Sequence, residues 1–447
     1  MGRRKRSENY QIRVEEDEDA MVERVREESR KRRQAILEKH ALEEGQIVEQ
    51  ESVSLGNPVP HDTAKIASNS CDKSSSPPAQ DMFTETPLAE IINPEASGQG
   101  VRNDNPDNWH DQEFYYKARV GETINSKYQV KASIGSGMFS TVFLAKSLLP
   151  ECQQEVAIKI PRKNDLMLRS AKSELQILKK VAEPEATNKD NHCVKLLDSF
   201  VYREHLCLVM EFLDLNLRQI TNKYGRNRGI NLKTICVYAH QLMVALQHLA
   251  HCGILHCDIK PDNIMVTKSR RSIKLCDFGV AMFARDQTPS AETPYLVSPS
   301  YRAPEIILGV APYSHPIDMW SAGCCLYELY TGKFLFPVAT NNGLLKQQME
   351  LKGAFPKAML KKGAFTGMHF NENFEFRQLD PVTKLETLRS MASFNVKTSC
   401  ISDLTGEDGA LMARFKNLLE RMLTLDPSKR ITPDEALKHP FLKSVCK

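Results

Sequence analysis

The sequence predicts an α+β protein with two lobes, a small one rich in strands and a larger one rich in helices, behind an N-terminal arm. Short stretches between Tyr128 and Met210 alternate apolar and polar residues, as strands do. After Asp214 the apolar residues recur at helical spacing. With 447 residues, 41% of them apolar, the chain is long enough to bury a sizeable core.

The N-terminal arm, residues 1–45, is dominated by Glu, Arg and Lys and predicts a solvated, charged helix. Neither proline nor glycine interrupts it from Ser7 to Glu44, and its apolar residues keep no heptad register, so a coiled coil is not predicted. Its two basic clusters, 3–6 and 30–33, are either nuclear import signals or one solvated face of the helix.

Residues 46–108 change to a composition rich in Ser, Pro, Asn, Gly and Thr, with low hydrophobicity and no periodicity. Such a segment cannot bury enough apolar surface to fold, so it is predicted to be a disordered linker. Its Ser76-Pro77 and Thr86-Pro87 dipeptides could accept phosphate from a proline-directed enzyme, although such dipeptides are common in any disordered tail.

Charge and cysteine usage exclude several classes of protein. The formal charge of +4 is the small difference between 60 basic and 56 acidic residues, so we expect no direct nucleic-acid or membrane partner. The 12 cysteines are scattered without CxxC spacing, which indicates reduced thiols rather than disulfides or a zinc site. No window approaches about 18 consecutive apolar residues, the length needed to span a membrane.

The small lobe is predicted to begin its ordered part near Trp109. Four strands are predicted, at Tyr128 to Val130, Thr141 to Ala145, Glu155 to Ile160 and Leu206 to Met210. One helix interrupts them. It begins at Asn164 or Asp165 and carries Ala171, Leu175 and Leu178 on one face.

The larger lobe is predicted from three amphipathic helices, Thr234 to His251, Pro316 to Tyr330 and Leu411 to Leu423. A long stretch, residues 340–410, which we call the insert, separates the last two helices.

A glycine-rich turn joins the first two predicted strands. Its glycines let the backbone fold closely over phosphate groups with the N–H groups facing them. A Walker-type loop is excluded because no Gly-Lys-Ser/Thr follows and the next element is a strand. The residues assigned to nucleotide binding here are Ile134, Gly135, Ser136, Gly137, Met138, Phe139, Ser140, Thr141 and Val142.

Lys159 ends an apolar strand, where an ammonium group is costly unless it meets opposite charge. We expect it to contact the α- and β-phosphates of ATP and to pair with Glu174 on the following helix, with Ala157 beside the nucleotide. Glu183 and Glu185 are alternative partners, but the proline between them marks the end of the helix.

The apolar strand that ends at Glu211 is expected to lead into the connection between the lobes. Backbone groups of Glu211 and Leu213 would then face the adenine edge, with Met210 behind the pocket. A buried core strand is the simpler interpretation of this segment, and both can hold at once.

Asp258 is the predicted catalytic carboxylate, which orients the substrate hydroxyl, with Lys260 beside the γ-phosphate. Asn263 and Asp277 would supply oxygen ligands for Mg²⁺. These polar residues could instead be turn formers, but Asp277-Phe278-Gly279 follows a short predicted strand, as the chemistry requires. The predicted cofactors are therefore ATP and Mg²⁺.

These motifs, with Ala303-Pro304-Glu305 after them, resemble the eukaryotic protein kinase superfamily across about residues 128–441. The segment from Thr293 to Ser298 and the insert are similar to the CMGC group, in its dual-specificity tyrosine-regulated branch. The splicing-associated, pre-mRNA-processing kinases of that branch resemble this chain most. The motifs that carry this last resemblance include Asn108-Trp109, Tyr115-Tyr116, Leu206-Cys207-Leu208-Val209, His256-Cys257-Asp258 and Leu326-Tyr327-Glu328-Leu329.

The resemblance implies the two-lobed kinase fold and a nuclear serine/threonine kinase that acts on splicing factors. The sequence does not determine the oligomeric state, and a monomer is the favoured expectation. The resemblance also implies autophosphorylation at Tyr295, with Arg302 as the cation that binds the phosphate. Cys257 replaces an arginine of many kinases, as it does in this branch. Pro299-Ser300 replaces the usual Arg and aromatic residue, which leaves Arg302 to act alone.

Two other interpretations stay open. A scaffold pseudokinase would bind partners through the charged arm and the insert. A cytoplasmic dual-specificity kinase of the same branch would share the chemistry and differ in location and substrate.

Overall fold

In a computed structural model of the chain, the described residues are 109–444 apart from gaps at 112–113, 138–139, 151–152, 184–189, 227, 286–296, 339, 381–384, 395–399 and 407. The predicted arm and linker lie outside the described residues. The described chain divides into two units, a smaller one of residues 109–170 and 199–209 and a larger one of residues 171–198 and 210–444.

A six-stranded sheet forms most of the smaller unit, in the order β1-β2-β3-β4-β6-β5. The strands are β1 (Thr123–Ile124), β2 (Tyr128–Ser136), β3 (Ser140–Ser147), β4 (Glu155–Pro161), β5 (Leu196–Tyr202) and β6 (His205–Glu211). β2 pairs antiparallel with β3, and β3 with β4. The four predicted strands are confirmed. β5 was not predicted, because its residues are half-buried or exposed and carry no alternating pattern.

Helix α1 (Asp165–Val181) begins where the sequence predicts and ends before Pro184. The amide of Leu168 donates to the carbonyl of Asn164 at 2.8 Å, which closes the first turn. Ala171 and Leu178 are buried on its inner face, and Glu174 is buried with them, whereas Leu175 is only half-buried.

The larger unit is mainly helical. Its longer helices are α2 (Leu217–Gly225), α3 (Leu232–Cys252), α5 (Pro316–Thr331), α6 (Asn341–Lys352) and α9 (Gly409–Met422); the shorter ones are α4 (Pro304–Leu308), α7 (Lys357–Lys362), α8 (Thr366–His369), α10 (Pro433–Leu437) and α11 (Pro440–Lys443). The three predicted helices correspond to α3, α5 and α9. α3 is capped by the Asn231 side chain and ends at Gly253, whose φ of 68° favours glycine.

Two short ladders flank the predicted catalytic residues. β7 (Ile254–Leu255) pairs with β10 (Met282–Phe283), and β8 (Ile264–Val266) pairs antiparallel with β9 (Ile273–Leu275). The loop 256–263 runs from β7 to β8, and residues 276–281 run from β9 to β10. The ladders therefore hold both segments from both ends.

The insert is folded and has an aromatic core of its own. It contains α6, α7, α8 and the hairpin of β11 (Phe376–Leu379) and β12 (Glu386–Arg389). Ring centroids are 5.4 Å apart between Phe370 and Phe376 and 5.9 Å apart between Phe376 and Phe394. Such edge and tilted pairs are favourable packing arrangements.

The described helices include none long and apolar enough to cross a membrane. The cysteines in the described ranges form no disulfide.

Candidate active site

Asp258 lies in the loop after β7 with 1% of its surface exposed. Its Oδ1 accepts a hydrogen bond from Ser298 Oγ at 2.7 Å, and its Oδ2 accepts one from Asn263 Nδ2 at 3.0 Å. Lys260 Nζ lies 3.0 Å from Oδ2. These partners fix the direction of the carboxylate and offset the cost of burying its charge.

Asp318 of α5 holds the backbone of the same loop. Its two carboxylate oxygens accept the N–H groups of His256 at 2.8 Å and Cys257 at 3.0 Å. Cys257 has a φ of 64°, a conformation that costs energy in a non-glycine residue and that these bonds maintain. Burial raises the pKa of Asp318, and the two amide donors oppose that rise.

The ring of His256 connects the loop to the segment after β9. Its Nε2 donates to the carbonyl of Cys276 at 3.0 Å, and its Nδ1 accepts the N–H of Asp258 at 3.2 Å. These two bonds select one neutral tautomer. The ring also packs edge-on against Phe278, with centroids 5.0 Å apart. His256 is therefore a structural support for Asp258 and for the segment that carries Asp277.

The two predicted magnesium ligands lie at one end of the β8–β9 ladder. Ile264 pairs with Leu275, so Asn263 and Asp277 extend from the same end, and the N–H of Cys276 donates to the carbonyl of Asn263 at 2.8 Å. Asn263 uses its amide nitrogen toward Asp258, which leaves the amide oxygen as the atom suited to a cation. An amide oxygen and a carboxylate fit a hard ion such as Mg²⁺.

No cluster of three or more metal-binding side chains occurs among the described residues. Magnesium that is bound with a nucleotide usually has only one or two protein ligands, with waters and phosphate oxygens as the others, so a pair such as Asn263 and Asp277 would fit it.

In the smaller unit, the glycine-rich segment forms the β2–β3 hairpin. Gly135 pairs with Val142 and Ser136 with Thr141, and the N–H of Gly137 donates to the carbonyl of Ser140 at 2.9 Å. The register shifts between Ser133 and Gly135. The assigned residues thus occupy adjacent strand ends, with Ile134 just before them. Met138 and Phe139, at the tip, lie outside the described residues.

Lys159 lies on β4 opposite Val142 of β3, and Ala157 lies opposite Leu144. Lys159 is buried, with only 7% of its surface exposed. An ammonium group this buried requires anionic or polar partners. Contact with ATP phosphates and with Glu174 stays a prediction.

In the larger unit, Glu174 is 5% exposed and Leu213 5% exposed. The N–H of Glu211 donates to the carbonyl of Lys195 at 3.1 Å, so its carbonyl, rather than its N–H, is the group predicted for the adenine edge. The Glu211 carboxylate accepts the N–H of Lys195 at 2.9 Å and lies 3.7 Å from Lys274 Nζ.

Arg302 is buried, with 1% of its surface exposed. Its Nε and Nη2 donate to the carbonyl of Val297 at 3.1 and 3.0 Å, and Nη1 donates to Asn341 of the insert. Val297 has a φ of 69°, a strained value for a β-branched residue, and Arg302 holds it there. Tyr295 lies outside the described residues, so a role for Arg302 in binding its phosphate stays a prediction.

The family comparison agrees with this geometry. A model described as "Protein kinase domain" matches residues 128–442. The chain belongs to the protein kinase family. The two-lobed α+β kinase fold predicted from the sequence is confirmed.

Similar proteins place the kinase within a smaller group. It is 44% identical over 397 residues to serine/threonine-protein kinase prpf4B of Dictyostelium discoideum, covering 82% of this chain and 48% of that protein. It is 43% identical over 376 residues to serine/threonine-protein kinase prp4 of Schizosaccharomyces pombe, covering 81% of this chain and 77% of that protein. Identity to serine/threonine-protein kinase ppk15 of the same yeast is 31%, over 77% of this chain and 67% of that protein.

The kinase is thus related to the Prp4-type, pre-mRNA-processing kinases of the CMGC group, which confirms the resemblance seen in the sequence. It spans about half the length of the Dictyostelium relative.

Sequence reasoning did not assign roles to Asp318 or Ser298, both of which hold the catalytic loop. A signal for Asp318 exists in hindsight, because one acidic residue interrupts the otherwise apolar Ile317 to Trp320 stretch. A charge in a buried stretch is costly unless it has partners. No such signal marks Ser298, which stands in a segment of mixed polarity.

Proposed function

We propose that this chain is an ATP- and Mg²⁺-dependent serine/threonine kinase that phosphorylates splicing proteins in the nucleus. The observation that carries the proposal is the arrangement of Asp258, whose two oxygens are oriented by Ser298, Asn263 and Lys260. The relation to Prp4-type kinases supports the choice of substrates.

Each group has a defined task in phosphoryl transfer. Asp258 accepts a hydrogen bond from the substrate hydroxyl and orients it. Lys260 places positive charge beside the γ-phosphoryl group that is transferred. Mg²⁺, held by Asn263 and Asp277, would neutralise phosphate charge. Because the transition state is loose, positioning and electrostatics supply most of the catalysis.

Neither alternative interpretation is favoured by an observation. A pseudokinase scaffold would be expected to lack at least one of Lys159, Asp258, Asn263 and Asp277, and all four are present. A cytoplasmic kinase would have the same site, so the location of a tagged full-length protein in cells separates it from the nuclear proposal.

The experiment measures phosphate incorporation from labelled ATP into splicing proteins of a nuclear extract. Asp277→Asn should lower the rate by at least about 100-fold, because it replaces the charged carboxylate ligand of the metal with a neutral amide without disturbing the core. Asp403→Asn is the matched control, since Asp403 is exposed and distant in sequence from the site. Near-normal turnover of Asp277→Asn would refute the mechanism. Labelling that is confined to extract proteins other than splicing proteins would refute the proposal that splicing proteins are the substrates.

The proposal includes autophosphorylation of Tyr295. Arg302 already binds Val297 and Asn341, so a phosphate at Tyr295 would share this arginine with existing partners. We therefore expect phosphotyrosine at this position in protein made in bacteria, and substantial activity in Tyr295→Phe. Mass spectrometry and kinetics decide both points; an unphosphorylated Tyr295, or an inactive Tyr295→Phe, contradicts the idea.

A further inference from the structure

Arg218, near the start of α2, is enclosed by two carboxylates and a phenol. Its Nε lies 2.9 and 3.0 Å from the two oxygens of Asp262, and its Nη1 donates to Glu328 Oε1 at 2.5 Å. Its Nη2 donates to the hydroxyl of Tyr301 at 2.8 Å, and that hydroxyl donates to Glu328 Oε2 at 2.5 Å. We call these four residues the Arg218 cluster.

The cluster is built on the two segments that hold the catalytic carboxylate. Asp262 directly precedes Asn263, whose amide binds Asp258. Tyr301 ends the short turn Pro299–Tyr301, which directly follows Ser298, the other partner of Asp258. A peptide whose hydroxyl reaches Asp258 must therefore pass these segments, and its neighbouring residues come close to the cluster.

The cluster holds two carboxyl groups and one guanidinium. Burial raises the pKa of the Tyr301 phenol, so Tyr301 remains neutral, and burial also raises the pKa of Glu328, a rise that Arg218 opposes. The side chains of Arg218 and Asp262 are 18% and 20% exposed, so the cluster reaches the surface. Paired carboxylates that accept a forked guanidinium are the usual way in which proteins bind an arginine of a partner.

We propose that Arg218 is a specificity-determining residue. From within the chain it fills the position in which a basic residue of a substrate would otherwise bind Asp262 and Glu328. The kinase therefore accepts substrates that lack an arginine or lysine near the phosphorylated hydroxyl. This inference rests on the proposed kinase activity and is independent of which proteins are the substrates.

A purely structural role for Arg218 makes a different prediction. Loss of a structural contact would lower stability, or kcat for every peptide alike, because the guanidinium would act only through the fold. Loss of a specificity element changes the ratio of kcat/KM between a peptide with a basic residue and one without it. A general loss of activity leaves this ratio unchanged.

The experiment uses the full chain and a peptide library in which each position around the phosphorylated serine is Arg or Ala in turn. The wild type should favour Arg by less than about threefold at every position. Arg218→Ala should favour Arg by about tenfold or more at one or two positions, since a hydrogen-bonded ion pair at a partly buried site contributes at least that much. Arg218→Met should show the same preference for Arg peptides as Arg218→Ala. It keeps an unbranched side chain near Phe334 and should therefore disturb folding less.

Two controls separate the explanations. Lys223→Ala removes one positive charge from an exposed position of the same helix and should leave the ratio at its wild-type value. Adding Glu328→Gln to Arg218→Met restores the original net charge and should bring the Arg preference back below about threefold.

A wild type that already selects Arg tenfold would overturn the inference, as would an Arg218→Met enzyme that is folded and active with no change in its ratios. Both outcomes leave the proposed kinase activity standing. A wild type that phosphorylates no peptide or protein would instead refute the proposed function, and the inference with it.

Discussion

Two arginines, one in each unit, bind carboxylates far away in the sequence, and they differ in burial. In the larger unit, Arg430 donates to both oxygens of Glu305, at 2.5 and 2.9 Å, and neither side chain is more than 3% exposed. In the smaller unit, Arg203 donates to Glu122 at 2.9 Å with 29% of its side chain exposed and 13% of that of Glu122. The pairs differ in geometry, since Arg430 makes two bonds to its carboxylate and Arg203 makes one, and they differ in exposure to solvent.

The surroundings of the two arginines also differ in how far they exclude water. Arg430 Nε also donates to the carbonyl of Thr424 and Nη1 to that of Pro316, so each nitrogen of the guanidinium has a protein partner in place of water. Arg203 stacks on Trp109, with its guanidinium carbon 3.1 Å from the ring centroid, and donates to the hydroxyl of Tyr116. Removal of one partner should therefore cost much more in the first case, because the remaining charge has no access to water.

Arg203 is one of several contacts that attach residues before β1 to the smaller unit. His110 Nδ1 lies 2.8 Å from His205 Nε2, and the N–H of Lys163 donates to the carbonyl of Phe114 at 2.9 Å. The folded unit thus includes residues that precede the family match at 128.

The largest expected effect is at the buried pair. Glu305→Gln should lower the free energy of unfolding by about 3 to 5 kcal/mol, because Arg430 keeps its charge without a counterion. Chemical denaturation measures it. The control, Glu386→Gln, breaks the exposed pair with Arg377 and should cost less than about 1 kcal/mol. Equal costs at the two sites would show that burial does not distinguish them.

An intermediate effect is expected in the smaller unit. Arg203→Ala should cost about 2 kcal/mol, since it removes the stacking on Trp109 and the ion pair with Glu122 while water can still reach the carboxylate. Arg203→Lys keeps the charge but not the planar stack and should recover less than half of that loss. A truncation to residues 118–447 should lose the stacking on Trp109 and the bond to Tyr116 but keep the ion pair with Glu122. If its stability equals that of the full chain, the segment does not support the unit.

The two pairs also show what the sequence could and could not predict. The strand and helix pattern and the motifs around Lys159, Asp258 and Asp277 depend on local spacing, and the fold built from them is confirmed. Glu305 was visible as part of a motif, but its partner lies 125 residues later, and the partner of Arg203 lies 81 residues earlier. No local pattern specifies such pairs. The folded insert escaped prediction for the same reason, because its aromatic core joins short elements.

The smallest expected effect concerns a buried group without a charged partner. His369 is 7% exposed, its Nδ1 has no hydrogen-bond partner, and burial lowers its pKa to about 4. A base whose pKa is lower in the folded than in the unfolded protein contributes stability above the unfolded pKa, near 6.5, and this contribution is lost as the pH falls toward 4. His369 therefore adds acid sensitivity in this range, where the guanidinium groups of Arg430 and Arg203 stay charged.

His369→Gln should remove that sensitivity. Between pH 7 and pH 5 the free energy of unfolding of the variant should fall by about 1.5 to 2 kcal/mol less than that of the wild type. The quantity to compare is the change of unfolding free energy with pH, because the substitution can itself cost packing energy at every pH. Other buried histidines, such as His205 and His315, also have lowered pKa values and contribute equally to both proteins. Denaturation curves at the two pH values measure it, with Arg203→Ala as the control whose slope should match the wild type. Parallel slopes for His369→Gln and wild type would mean that His369 is hydrated or protonated in the folded protein.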